Sequence, residues 1–185
     1  MPMPTLLVID VQRAFDDGSW GARNNPEAEA RIAEALAGWR EQGAPVIHVR
    51  HESTEPEGRF VPGTPAFEFK PEAQPLDGEP VITKDVNSAF IGTDLEARLR
   101  EQGVETVALV GLTTDHCVST TARMAANLGF ETWVLDDATA THERRTPDGE
   151  ALPAELMHRT AIASLHDEFA EAIPTREALA RLGPR

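Results

Sequence analysis

Short, continuous apolar runs alternate with amphipathic stretches along the whole chain. Thr5-Leu-Leu-Val-Ile9 is apolar and partly β-branched, and Asp10 follows it at once. Pro26 to Glu41 carries Ile32, Ala35, Leu36 and Trp39 at helical spacing. Pro45 to Val49 reads as a second strand and Pro80 to Thr83 as a third. Leu95, Leu99 and the closing Gly103 mark a short helix with its stop signal. Val107 to Val110 reads as a fourth strand, Val118 to Leu128 as a helix ended by Gly129, and Thr132 to Leu135 as a fifth strand. Ala151 to His166 has a helical pattern, Phe169 to Ile173 reads as a sixth short strand, and Thr175 to Leu182 as a terminal helix capped by Thr175.

Strands that are apolar throughout, rather than alternating, need cover on both faces. Their alternation with helices predicts an α/β fold with a parallel sheet between two helical layers. The longest departure is the stretch from His51 to Glu79, rich in Pro, Gly and Glu. An irregular segment of that length in a compact domain is expected to be functional or partner-facing. No internal repeat divides the 185 residues, so one domain over residues 1–185 is expected.

Charge narrows the partners. The chain has 31 acidic against 17 basic residues, a formal net charge of -14. Such a balance opposes binding to nucleic acid or anionic membranes, where clustered Lys and Arg are required. The first residues lack a basic region, their apolar run meets Asp10, and no apolar stretch approaches the roughly 20 residues of a membrane span. A soluble cytoplasmic protein is expected. One cysteine precludes an intrachain disulfide, and nothing resembles paired Cys/His zinc spacing.

In a parallel α/β sheet, ligands sit beyond the C-terminal ends of the strands. Three chemically coherent groups stand there: Asp10 after the first strand, Lys84 after the third and Cys117 just beyond the fourth. A carboxylate can take a thiol proton and return it to a leaving amine, while an ammonium stabilises the thiolate. Cys117 lies between a Gly/Thr turn and a helix, where the helix dipole would also favour the thiolate. The alternative, a small buried hydrophobe, stays open on these residues alone. Phe15, Trp20 and Phe90 suit either pocket walls or ordinary core positions, and Asn87 is placed to hydrogen-bond near Lys84. Arg50 and His51, at the start of the long loop, suit contact with a polar substrate group or, more simply, solvated positions, and His142 with Glu143-Arg-Arg145 reads as a charged loop. His158 and His166 read as packing or surface positions of the helix before the sixth strand.

Three segments carry a resemblance. Leu7-Val-Ile-Asp-Val-Gln12 with Phe15, Lys84 followed by Asn87-Ser-Ala-Phe-Ile-Gly-Thr93, and Gly111-Leu-Thr-Thr-Asp-His-Cys-Val118 resemble the isochorismatase-like cysteine hydrolases. That family includes nicotinamidases and N-carbamoylsarcosine amidases. The resemblance runs from about Leu6 to Phe169. It implies a three-layer α/β/α fold with a six-stranded parallel sheet, a homodimer or homotetramer, and a small-molecule substrate. It implies Asp10, Lys84 and Cys117 as the catalytic residues, with substrate contacts from Phe15, Asn87 and Phe90. It further implies a cis peptide between Leu112 and Thr113, and an oxyanion hole formed by the Thr113 and Cys117 amides. The cysteine favours attack at an amide-like carbonyl over hydrolysis of a vinyl ether; a thiol sensor or scaffold remains the alternative outside catalysis. Nicotinamidases carry an Asp-x-His pair after the second strand, whereas this chain reads His48-Val-Arg-His-Glu52. His48 and His51, three apart on a strand and its exit, face opposite ways, so neither metal nor cofactor is expected.

Overall fold

The computed structural model describes residues 2–183. Six strands form one parallel sheet: β1 (Thr5–Ile9), β2 (Val46–His51), β3 (Val81–Lys84), β4 (Thr106–Leu112), β5 (Glu131–Ala140) and, after a two-stranded ribbon of β6 (Arg144–Arg145) and β7 (Ala151–Leu152), β8 (Glu171–Ile173). Their spatial order is β3-β2-β1-β4-β5-β8. The helices are α1 (Ala28–Glu41), α2 (Leu95–Glu101), α3 (Ser119–Asn127), α4 (Ala154–Leu165) and α5 (Thr175–Leu182). A three-layer α/β arrangement results.

Period-two alternation divides β1 between the layers. Leu6 and Val8 join Ile32, Leu36 and Trp39 of α1 and Ala178 and Leu182 of α5 in one apolar cluster. Leu7 and Ile9 join Leu95 and Leu99 of α2, Ala122 and Ala125 of α3 and Leu165 of α4 in the other. All five residues of β1 are buried, as a central strand covered on both faces requires. The Trp39 indole N–H also reaches the Pro4 carbonyl at 2.8 Å, so its polar edge is satisfied inside the core.

Three departures from the sequence pattern matter. β2 runs two residues beyond its apolar segment, to His51, because Arg50 and His51 pair in register with Thr83 and Lys84 of β3. β5 runs to Ala140, with a register shift between Leu109 and Gly111 of β4 that pairs Gly111 with Thr139. Gly111 permits this crowding: its φ is +126° and an added Cβ would stand 2.0 Å from the Ile9 carbonyl oxygen. Thr175 begins α5 but does not cap it; its N–H and hydroxyl both bind Asp137 Oδ1, at 2.8 and 2.7 Å. The long irregular stretch is ordered by a bridge between Gln12 and Phe69 and by 3-10 turns at Pro65–Phe67 and Pro71–Ala73.

Candidate active site

Strand order reverses between β1 and β4, and their C-terminal ends open the crevice in which α/β folds bind ligands. Asp10 leaves β1 in a left-handed conformation, φ 51°, with its N–H on the Val49 carbonyl at 2.9 Å. A non-glycine residue held there is locally strained, and such strain concentrates at functional sites. Asp10 is wholly buried.

Lys84 ends β3, two strands away, and its ammonium reaches past β2. Its Nζ lies 2.6 Å from Asp10 Oδ2, 3.1 Å from His51 Nδ1 and 3.4 Å from Cys117 Sγ. Both side chains of the Lys84–Asp10 pair are out of water, with relative exposures of 0 and 1%. Among the described residues, the other carboxylate oxygen, Asp10 Oδ1, is buried without a hydrogen-bond partner. Potential metal-ligand atoms of Asp10, His51 and Cys117 lie within 4.8 Å of one another. The ammonium already stands among them and supplies the positive charge a cation would bring.

Cys117 lies in a π-helical turn, Thr114–Val118, that leads from β4 into α3. The Leu112–Thr113 peptide before the turn is cis. The His116 and Val118 amides both donate to the Thr113 carbonyl at 3.2 Å. Two effects oppose the thiolate that the helix dipole and Lys84 favour. Burial, first, and then the Asp10 carboxylate push the Cys117 thiol well above its ordinary range, and the opposing pull of Lys84 is weaker. These shifts favour the neutral thiol, which lies beside a buried carboxylate whose Oδ1 has no hydrogen-bond partner among the described residues.

The other expected residues distribute unevenly. Phe15 stands in an aromatic wall, its ring 5.0 Å from Trp20, 5.2 Å from Phe60 and 6.1 Å from His142, centroid to centroid. Phe90 belongs to the core instead, stacked on Phe130 within the apolar cluster that contains Cys117. Asn87 is exposed, and among the described residues it is not a partner of Lys84. The strand ends at Lys84 and the turn after it faces water, which explains that displacement.

Three contributors escape the sequence pattern. His51 is not a solvated loop residue: it touches Lys84 and packs against Phe60 at 5.1 Å. Gln12 fixes it there. The Gln12 side chain accepts the His51 N–H at 2.7 Å and donates to the carbonyls of His51 and Phe67 at 3.0 Å each. An amide three residues past a buried strand was the available signal, since a buried Gln must find partners. His142, read as part of a charged loop, is buried and stacks on both Phe15 and Trp20. Burial and the nearby Arg23 charge lower its pKa to about 4, so it is a neutral member of the wall. His48 takes a different partner from His51, binding Glu79 at 2.8 Å, and His158 meets the Thr114 hydroxyl at 2.9 Å.

A model of the isochorismatase domain matches residues 4–177. The chain belongs to the isochorismatase family. The isochorismatase family protein YrdC of Bacillus subtilis is 46% identical over 174 residues, covering 94% of this chain and 93% of its own. A crystal structure of an isochorismatase-family hydrolase from Chromobacterium violaceum shares 44% identity at a TM-score of 0.95, over 98% of this chain and 94% of that one. The nicotinamidase/pyrazinamidase of Mycobacterium tuberculosis is 32% identical over 164 residues, 75% of this chain and 87% of its own. An isochorismatase-family hydrolase therefore carries its buried Asp, Lys and Cys at the switch point of the sheet. Among the described residues, no helix is long and apolar enough to cross a membrane.

Proposed function

We propose that this isochorismatase-family hydrolase cleaves a C–N bond of a small carboxamide or ureido compound, with Cys117 as nucleophile. The observation that carries the reading is the Asp10 carboxylate, its Oδ1 buried and unpartnered among the described residues, beside a thiol whose pKa is raised. A buried carboxylate oxygen without a donor is costly unless a proton or a donor arrives in the working cycle. Asp10 takes the thiol proton as Sγ bonds to the carbonyl carbon, and the Lys84 ammonium offsets the charge on sulfur. The oxyanion is received by the Thr113 and Cys117 amides. Preorganised donors of this kind are each worth about 2.7–4 kcal/mol of barrier. As the C–N bond breaks, Asp10 returns the proton to the leaving nitrogen. Water, deprotonated by Asp10, then attacks the acyl carbon, the C–S bond breaks and the proton returns to sulfur.

The kinship to a nicotinamidase/pyrazinamidase supports an amide-type substrate, without carrying nicotinamide itself over to this chain. A sensor role is less well supported: redox-sensing cysteines are accessible and of low pKa, whereas Cys117 is 9% exposed with a raised pKa. The same reading has the protein act as a homodimer or homotetramer, which sedimentation analysis distinguishes. Incubation of wild type and Cys117→Ala with a panel of small amides and ureido compounds, without added metal, tests the chemistry by released ammonia. The substitution should lower release by at least about a thousandfold while circular dichroism stays unchanged. Turnover retained by the variant would remove Cys117 as nucleophile and favour non-covalent hydrolysis of a non-amide substrate.

A further inference from the structure

We propose that His51 is a positioning residue of this site: a neutral imidazole whose Nδ1 accepts the third N–H of Lys84 and thereby aims the other two at Asp10 and Cys117. An ammonium has three donors and no acceptor, so the Nδ1 that faces it at 3.1 Å must carry a lone pair, with the ring proton on Nε2. The three donors then meet three acceptors: Asp10 Oδ2, His51 Nδ1 and Cys117 Sγ. Because Lys84 is fully desolvated, an empty third position would be expensive. The ammonium could relieve it only by rotating or by losing its proton, and either change would weaken its hold on the sulfur. The inference rests on the proposed role of Lys84 in stabilising the Cys117 thiolate.

The fold supplies the position. β2 lies between β1 and β3, and the Cα of His51 is the register partner of Lys84. Gln12 holds both backbone groups of His51, and Phe60 backs the ring. The charged or titratable groups that face the imidazole are Lys84, Asp10, Cys117 and, from the turn after β3, Asp85. Burial, then the Lys84 charge, lower the imidazole pKa below its ordinary 6.5; Asp10 and Asp85 act the other way. Neutral His51 is therefore the form present at pH 7. Protonation at Nδ1 would turn the acceptor into a donor and set a second cation against Lys84.

The test uses iodoacetamide as the probe and mass spectrometry to follow alkylation of Cys117, with Cys117→Ala as the blank. His51→Leu, which removes the acceptor, should slow alkylation at pH 8 by on the order of tenfold. His51→Asn, whose amide oxygen can take the place of Nδ1 without titrating, should recover most of that loss. Wild type should show a step in rate on the acid side of pH 6.5 that is absent from His51→Asn. A His51→Leu protein that alkylates like wild type, or a step that persists in His51→Asn, overturns the inference. Should His51→Leu fail to fold by circular dichroism, the His51→Asn pH profile decides alone. Lys84→Met separates the two readings. If it slows alkylation while His51→Leu does not, only the role of His51 falls. If Lys84→Met alkylates like wild type, the stabilisation of sulfur by Lys84 falls first.

Discussion

Lys84 and Lys70 are both almost wholly buried, with exposures of 2 and 5%, yet the groups around them differ in kind. Lys70 binds two carboxylates, Asp16 at 2.6 Å and Glu29 at 2.7 Å, and Glu29 is also held by both terminal nitrogens of Arg23. Two cations meet two carboxylates, and Asp16 remains largely in water. Lys84 meets one carboxylate, one imidazole and one thiol, and among the described residues the second carboxylate oxygen has no hydrogen-bond partner. A closed set of ion pairs holds a chain segment in place. A set left one hydrogen bond short retains a proton acceptor, which is what nucleophile activation requires.

Substitutions at the two lysine sites can break that contrast. Asp10→Asn should be the most severe, because it removes the proposed general base and leaves Lys84 buried without a counter-charge. Ammonia release should fall by about a hundred- to ten-thousandfold, and stability by about 3–5 kcal/mol in a urea titration. An Asn variant that keeps full stability would mean that Asp10 and Lys84 are not charged partners. Lys70→Met should act on stability alone. We expect a loss of about 1.5–3 kcal/mol with ammonia release within a few-fold of wild type; a large kinetic defect would erase the distinction between the two lysines.

Acid should sharpen the same contrast. Burial alone raises the Glu29 carboxyl, but hydrogen bonds from Arg23 and Lys70 overcome it and bring the pKa from 4.5 to about 2. A depressed carboxylate contributes stability that is fully present above pH 4.5 and is lost as pH falls toward 2. Lys70→Met should therefore show a smaller stability loss over that interval than wild type. The smallest effect is expected at His142. Its lowered pKa, about 4, means that stability is lost as pH falls from 6.5 toward 4, while the unfolded chain gains the proton first. His142→Phe should keep the stacking with Phe15 and Trp20, change neutral-pH stability by less than about 1.5 kcal/mol and flatten that acid decline. An unchanged pH profile would remove His142 from the titrating groups.

The alternating pattern exposed most of the fold because the central strands β1 and β4 are apolar on both faces and the helices carry apolar stripes. α1, α3 and α5 fall within a few residues of their expected limits, as do β1 and β4. Boundaries shifted where pairing rather than hydropathy sets the end. β2 continues through Arg50 and His51 because β3 lies alongside, and β5 continues through Asp136 and Asp137 toward Ala140. Local patterning cannot register a hydrogen-bonded partner that lies about 30 residues away.

The site divides in the same way. The sequence by itself determined that Asp10, Lys84 and Cys117 stand at or beyond the C-terminal ends of strands, because an apolar run ending in a polar residue is a local signal. Only the tertiary structure raises the thiol pKa, since that follows from burial and from a carboxylate more than 100 positions away in the chain. Only the strand order decided that His51 stands against Lys84 and that Asn87 does not. Residue type sets which chemistry a side chain can perform; the solvation and neighbours that set its charge exist only once the sheet has formed.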